Sequence, residues 1–156
     1  MYTKKFMEEA IRLAKENVKN GTGGHFGAVI VKEGEIIAAC GNSVTPDNDP
    51  TAHAEVNAIR EACRKLKTHQ LEGCEVYASC EPCPMCLGAI YWARPAKVYY
   101  ASTKDDAAAA GFDDSFIYKE IALPEIKRSI PFLHEKEPDA GEEFRLWNIT
   151  NIKVEY

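Results

Sequence analysis

At 156 residues, with 46% hydrophobic and 28% charged residues, the chain has the length and composition of one domain that buries a core of ordinary size without covalent staples. Its 24 acidic residues outweigh 19 basic ones for a net charge of -5, which weighs against a long polyanionic partner. No run approaches the roughly 18 apolar residues of a membrane helix, and Glu8 and Glu9 interrupt the start before any signal-type apolar segment, so the expected setting is cytoplasmic, with no membrane partner.

Phe6, Ala10, Leu13, Ala14 and Val18 recur at three- and four-residue spacing up to Gly21, which predicts an amphipathic opening helix with a glycine stop. Gly27 to Lys32 has the pattern of a short buried strand, and Glu33-Gly34 turns the chain into a second strand, Glu35 to Cys40. Asp49, Pro50 and Thr51 supply turn and capping chemistry before a helix from His53, whose apolar face is Ala54, Ala58, Ile59, Ala62 and Leu66. A strand over Glu75 to Ser79, a helix over Pro84 to Trp92 and a strand over Lys97 to Ala101 follow, an alternation that implies parallel pairing. Two short helices are expected over Thr103 to Ala110 and Asp114 to Glu120, a last strand over Ser129 to His134, and a terminal helix over Glu142 to Thr150. With no internal repeat or linker, residues 1–156 read as a single domain: an α/β fold, a three-layer α/β/α sandwich around a mixed sheet of about five strands.

The chemistry concentrates in "TAHAEV" and "SCEPCPMC". His53, Cys83 and Cys86 make a His/Cys/Cys set of the kind that holds a catalytic zinc with one position left for water. Pro84 suits the first turn of a helix, placing Cys83 near its N-cap and Cys86 in its first turn, where the helix dipole favours thiolate. A redox pair, two buried thiols, and a closed structural zinc using Cys80 as a further ligand are the competing readings. Cys40, Cys63 and Cys74 stand singly and read as small buried residues. Glu55, two residues after His53, favours catalysis, because a carboxylate beside activated water can move that water's proton to a substrate nitrogen.

His-x-Glu followed by Pro-Cys-x-x-Cys is the signature of zinc nucleobase deaminases. More closely, "GAVIV", "GNSVT", "DPTAHAEV", "SCEPCPMCLGAIYWAR" and "AGFDDSFIYKEI" resemble the bacterial guanine deaminases of the cytidine/deoxycytidylate deaminase superfamily, over most of Gly21 to Ile121. The resemblance implies a cytidine-deaminase-like fold, one zinc per chain held by His53, Cys83 and Cys86, and hydrolysis of guanine at C2 to xanthine and ammonia. It implies Glu55 as proton shuttle, Asp114 in "FDDSF" as the acid handling the leaving amino group, with Asp113 its rival, and the Cys83 amide as a brace for developing charge. It also implies that Asn42, Phe26, Ala54 and Trp92 border the purine. His25 stands where the resembling proteins carry Pro, a departure at the pocket rim. By the same resemblance the protein pairs as a homodimer that exchanges its C-terminal segments, about residues 139–156, so that Tyr156 covers the partner's site. The rival functions are a tRNA adenosine deaminase, disfavoured by the acidic balance, then a cytosine or cytidine deaminase, and a zinc-stabilised binding module, which would have no need of Glu55.

Overall fold

Helix α1 (Lys4–Asn20) presents Phe6, Met7, Ala10 and Ala14 along one buried stripe and stops at Gly21, whose left-handed φ of 62° lets its N–H cap the last carbonyls. The structure, a computed structural model, describes residues 1–154. Two compact units divide the chain, one spanning Met1–Asp114 and the other beginning at Ser115.

In the first unit, strand β1 (Gly27–Lys32) pairs antiparallel with β2 (Glu35–Gly41) through a turn in which Glu33 and Gly34 both have positive φ, the backbone required by a two-residue hairpin of matching twist. Strand β3 (Cys74–Cys80) pairs antiparallel with the other edge of β1, and β4 (Lys97–Ser102) pairs parallel with β3. The order β2-β1-β3-β4 makes a mixed sheet of four strands. The parallel pair is joined across α4 (Pro84–Ala93), as parallel strands require.

Both faces of the sheet are covered. Val29, Val31 and Tyr77 pack with Phe6, Met7 and Ala10 of α1, and the buried Tyr77 hydroxyl is satisfied, accepting from the Thr3 N–H at 3.2 Å and donating to Glu75 at 3.0 Å. On the opposite face Ala28, Ile30 and Val76 meet Ala54, Ala58 and Ala62 of α3 (Ala54–Leu66). A helix whose buried stripe is alanine approaches the sheet closely, and all three alanines are fully buried. These three layers agree with the expected sandwich. A short helix, α2 (Val44–Asp47), lies between β2 and α3 where turn residues alone were expected, and α5 (Lys104–Ala109) follows β4 with Thr103 and Asp106 forming a capping box.

The second unit holds α6 (Ser115–Ala122), a 3-10 turn at Glu125–Lys127 and α7 (Glu142–Ile149). The expected strand over Ser129 to His134 is absent, so the sheet has four strands where about five were expected. Pro131 carries no N–H for a ladder, and the Ser129 N–H is taken by the Glu120 carboxylate at 2.7 Å. No helix among the described residues is long and apolar enough to cross a membrane.

Gly27 permits the closest approach between α1 and the sheet, since a Cβ there would lie 2.2 Å from the Ala10 carbonyl oxygen. Gly27→Ala is expected to cost about 1–3 kcal/mol by overpacking, read as a lower denaturation midpoint in urea at unchanged slope.

Candidate active site

Two helix starts converge beyond the C-terminal end of β3. The chain leaves the Asp49–Ala52 turn extended, so that His53 becomes the N-cap of α3, and the same extended entry makes Cys83 the N-cap of α4, with Pro84 behind it pre-set for the first turn. The ligand atoms of His53, Cys83 and Cys86 lie within 4.8 Å of one another. His53 Nδ1 sits 3.5 Å from Cys83 Sγ and 3.5 Å from Cys86 Sγ. Nitrogen at ~2.05 Å and sulfur at ~2.3 Å from one tetrahedral zinc are themselves about 3.5 Å apart, so these residues fit a single zinc ion.

The electrostatics of the cluster point the same way. Cys83 is pulled down to about 4 by its hydrogen bond with Cys86, helped by His53 and by the Cys86 N–H at the start of α4, and it stands as thiolate. Cys86 is pushed up by the same pairing with Cys83, by burial and by Glu55. The Cys83 sulfur holds His53 above its ordinary range. Glu55, in the first turn of α3, is pushed up mainly by burial, and its Oε2 accepts from Cys86 Sγ at 3.6 Å. A thiolate, a buried carboxyl and an imidazole crowded at two helix N-termini form a site for a cation.

A cavity of about 190 Å³ opens onto the cluster, lined by His53, Glu55 and Cys83 together with Phe26, Phe112 and Asp114. It lies past the C-terminal ends of the parallel strands, the usual position for a ligand crevice in α/β sheets. Of the residues singled out from sequence, Phe26, His53, Glu55, Cys83, Asp113 and Asp114 line it, while Cys86 lies behind at the metal cluster. Asp114 is raised by partial burial and by Cys83. Ala54, the first residue of α3, is fully buried between His53 and Glu55 and is not part of the lining. Trp92 lies near the end of α4 with 63% of its surface exposed and is not part of the lining. Tyr156 lies outside the described residues.

Asn42, just past β2, is buried, and its Oδ1 accepts from the N–H groups of Gly24 and Val44, both at 3.2 Å. Only an oxygen can meet two backbone donors, so the orientation of this amide is determined, and its Nδ2 is left as donor. The pocket is also lined by Cys80 and by Phe112, Lys104, Ala107 and Glu81, the last four of which sequence reasoning did not assign to it. Phe112 is the first residue of "FDDSF" and meets Phe26 edge to face at 5.5 Å, a contact visible only in three dimensions. His25 stacks on Phe26 at 4.4 Å and meets Phe112 at 4.5 Å, extending the aromatic rim. Cys80, offered in sequence as a further ligand, instead donates to the Thr103 carbonyl at 3.4 Å and is pushed up to about 11 by burial.

The chain belongs to the cytidine and deoxycytidylate deaminase family, whose zinc-binding region matches residues 1–102. Within that family it is 58% identical over 151 residues to the guanine deaminase of Bacillus subtilis, covering 97% of each chain. An X-ray structure of guanine deaminase from that organism superposes with a TM-score of 0.95 at 57% identity over 99% of each chain. The tRNA-specific adenosine deaminase of Aquifex aeolicus is 50% identical over 97 residues, 62% of this chain and 64% of its own length. The protein is therefore a hydrolytic enzyme with zinc as its cofactor, and His53, Cys83 and Cys86 are positioned to hold the ion.

Cys83→Ser and His53→Ala are each expected to lower zinc from about one per chain to well under half of that after dialysis, measured by elemental analysis.

Proposed function

We propose that this chain is a guanine deaminase, adding water at C2 of guanine and releasing xanthine and ammonia. The observation that carries the reaction class is Glu55, a buried carboxyl set against the His53/Cys83/Cys86 cluster and facing a cavity. Guanine as substrate is supported by the 58% identity to the Bacillus subtilis guanine deaminase over nearly the whole chain. The cavity, at about 190 Å³, suits a free base better than the larger ligands of sites measuring roughly 300–1,000 Å³.

When bound, zinc lowers the pKa of water enough to supply a nucleophile at neutral pH. Glu55 takes the water's proton, delivers it to the ring nitrogen beside C2, and then helps the amine leave as ammonia. Burial favours this exchange, because a carboxyl raised toward the working pH both accepts and returns a proton. Asp114, raised by partial burial, faces the same cavity and handles the leaving amino group. Phe26 supplies an apolar wall for the base. Asn42 is outside the cavity lining, on the segment hydrogen-bonded to Phe26, and its Nδ2 is the donor it offers to an acceptor edge such as the O6/N7 side of a guanine.

The same proposal includes a cytoplasmic setting, where thiol ligands stay reduced, and a homodimer in which residues 1–156 act as one deaminase domain with C-terminal segments of about residues 139–156 exchanged. Support for the exchange comes from the second unit, where no described residue is buried and Phe144, Leu146, Trp147 and Ile149 of α7 are all exposed. Apolar surface of that extent calls for a partner.

Wild-type protein is expected to convert guanine to xanthine with stoichiometric ammonia. Glu55→Gln should retain zinc and fold while losing at least about a hundredfold in kcat, because an amide cannot shuttle the proton; near-normal turnover by that variant would refute the assignment. Deleting Lys153 to Tyr156 is expected to impair guanine turnover with zinc content intact, and unchanged turnover would remove the functional case for exchange.

A further inference from the structure

Asn17 lies on α1, outside the cavity lining and far in sequence from every metal or proton-handling residue. Its side-chain amide is nonetheless fully engaged with the segments that carry Asn42 and Phe26. Nδ2 donates to the Asn42 carbonyl at 2.8 Å and to the Gly24 carbonyl at 3.1 Å, while Oδ1 accepts from the Thr22 hydroxyl at 3.3 Å. The Asn17 carbonyl also accepts from the Thr22 N–H at 3.1 Å, so one residue holds both ends of the 22–24 loop.

The bonds form a closed circuit. Gly24, held by Asn17, donates its N–H to Asn42 Oδ1 and accepts from the Phe26 N–H at 2.9 Å, and Phe26 in turn accepts from the Asn42 N–H at 3.0 Å. Two glycines leave room for it. A Cβ at Gly41 would lie 2.7 Å from Asn17 Nδ2, and one at Gly23 would lie 2.1 Å from the Asn42 carbonyl oxygen. On the other side Asn57 of α3 donates to Ser43 Oγ at 2.9 Å and to the Gly41 carbonyl at 3.2 Å. The segment Gly41–Ser43 is thus braced by an asparagine amide from each helical layer.

We propose that Asn17 is a positioning residue for base recognition: by holding Gly24 and the Asn42 backbone, it keeps Asn42 Oδ1 occupied and presents Nδ2 alone to the ligand. The Asn42 side chain is then a donor-only reader, which accepts a base offering an acceptor at that edge. Without Asn17 the Gly24 N–H drifts from Oδ1, which leaves the Val44 N–H as the one backbone donor fixing the Asn42 amide and loosens its presentation to the ligand. The proposal rests on the guanine reading above, with Asn42 as the residue that meets the base.

The test is a double-mutant cycle between Asn17→Asp and Asn42→Ala on the zinc-loaded protein, with steady-state kinetics on guanine and metal content for each variant. Aspartate matches asparagine in shape but cannot donate to two carbonyls. Asn17→Asp is expected to raise KM about tenfold with kcat within about twofold of wild type, the loss expected when hydrogen bonds to a ground-state contact are weakened. In the Asn42→Ala background the same change should move KM by less than about twofold, because its effect passes through Asn42. An unchanged KM, a fall in kcat alone, or equal effects in both backgrounds overturns the proposal. Asn17→Ala, which brings in no charge, is held to the same outcomes if the aspartate variant does not fold. Wild-type protein inert on guanine overturns the guanine reading and this proposal together, whereas active wild type with independent effects overturns this proposal alone.

Discussion

Crowding an imidazole, two sulfurs and a carboxyl at the start of two helices is the constraint on which the rest of the active site depends. Left to themselves these groups are shifted in opposite directions: Cys83 is pulled down, Cys86 and Glu55 are pushed up, and His53 is held above its ordinary range by the sulfur beside it. A divalent cation reconciles them, since it favours both thiolates at once. The helix N-termini contribute partial positive charge at the same point, so the local fold favours the ionised sulfurs before the metal arrives.

Holding two helix starts in register demands a stiff frame, and the packing supplies one. The fully buried alanine stripe of α3 lets that helix lie close on Ala28, Ile30 and Val76, and Gly27 lets α1 approach the opposite face. A larger side chain at either place would move His53 or the 22–26 loop relative to Cys83, and the 3.5 Å separations between ligand atoms leave little slack. The pocket rim is built by different means. Phe26, Phe112 and His25 contact one another through ring faces and edges, while Asn17, Asn42 and Asn57 join the neighbouring segments by hydrogen bonds to backbone. The metal cluster is thus held by helix packing and the segments around Asn42 by a polar net.

The second unit differs in kind from the first. Its helices carry Phe116, Ile121, Phe144 and Trp147 at exposed positions, and its segment after the 3-10 turn exposes Ile130, Phe132 and Leu133. Among its described residues none is buried, so the unit has no apolar core of its own to match that of the first.

Periodicity and punctuation made the secondary structure of the first unit legible. The stripe ending at Gly21, the Glu33-Gly34 turn and the Pro84 helix start all reflect local backbone chemistry, and β1 spans the residues its pattern indicated. The metal set was legible for the same reason: His53, Cys83 and Cys86 stand at or just inside helix starts that the sequence marks, so local rules bring the right atoms to the right ends. Local rules failed where a segment's partner lies elsewhere. Ser129 to His134 has strand-like composition, but Pro131 and the Glu120 carboxylate remove the donors that a ladder needs. Phe112 and Lys104 reach the pocket, and Trp92 is exposed and outside its lining, because of where β4 and α4 deliver them, which no spacing in the chain encodes. Asn17 is the sharpest case: in sequence it is one polar residue near a helix end, and only the approach of Gly23 and Gly41 turns its amide toward Asn42. The sequence by itself determined which residues could bind the metal and move the proton, since those follow from side-chain chemistry and helix starts. Tertiary structure alone decided which residues line the cavity beside them, because that depends on contacts between segments distant along the chain.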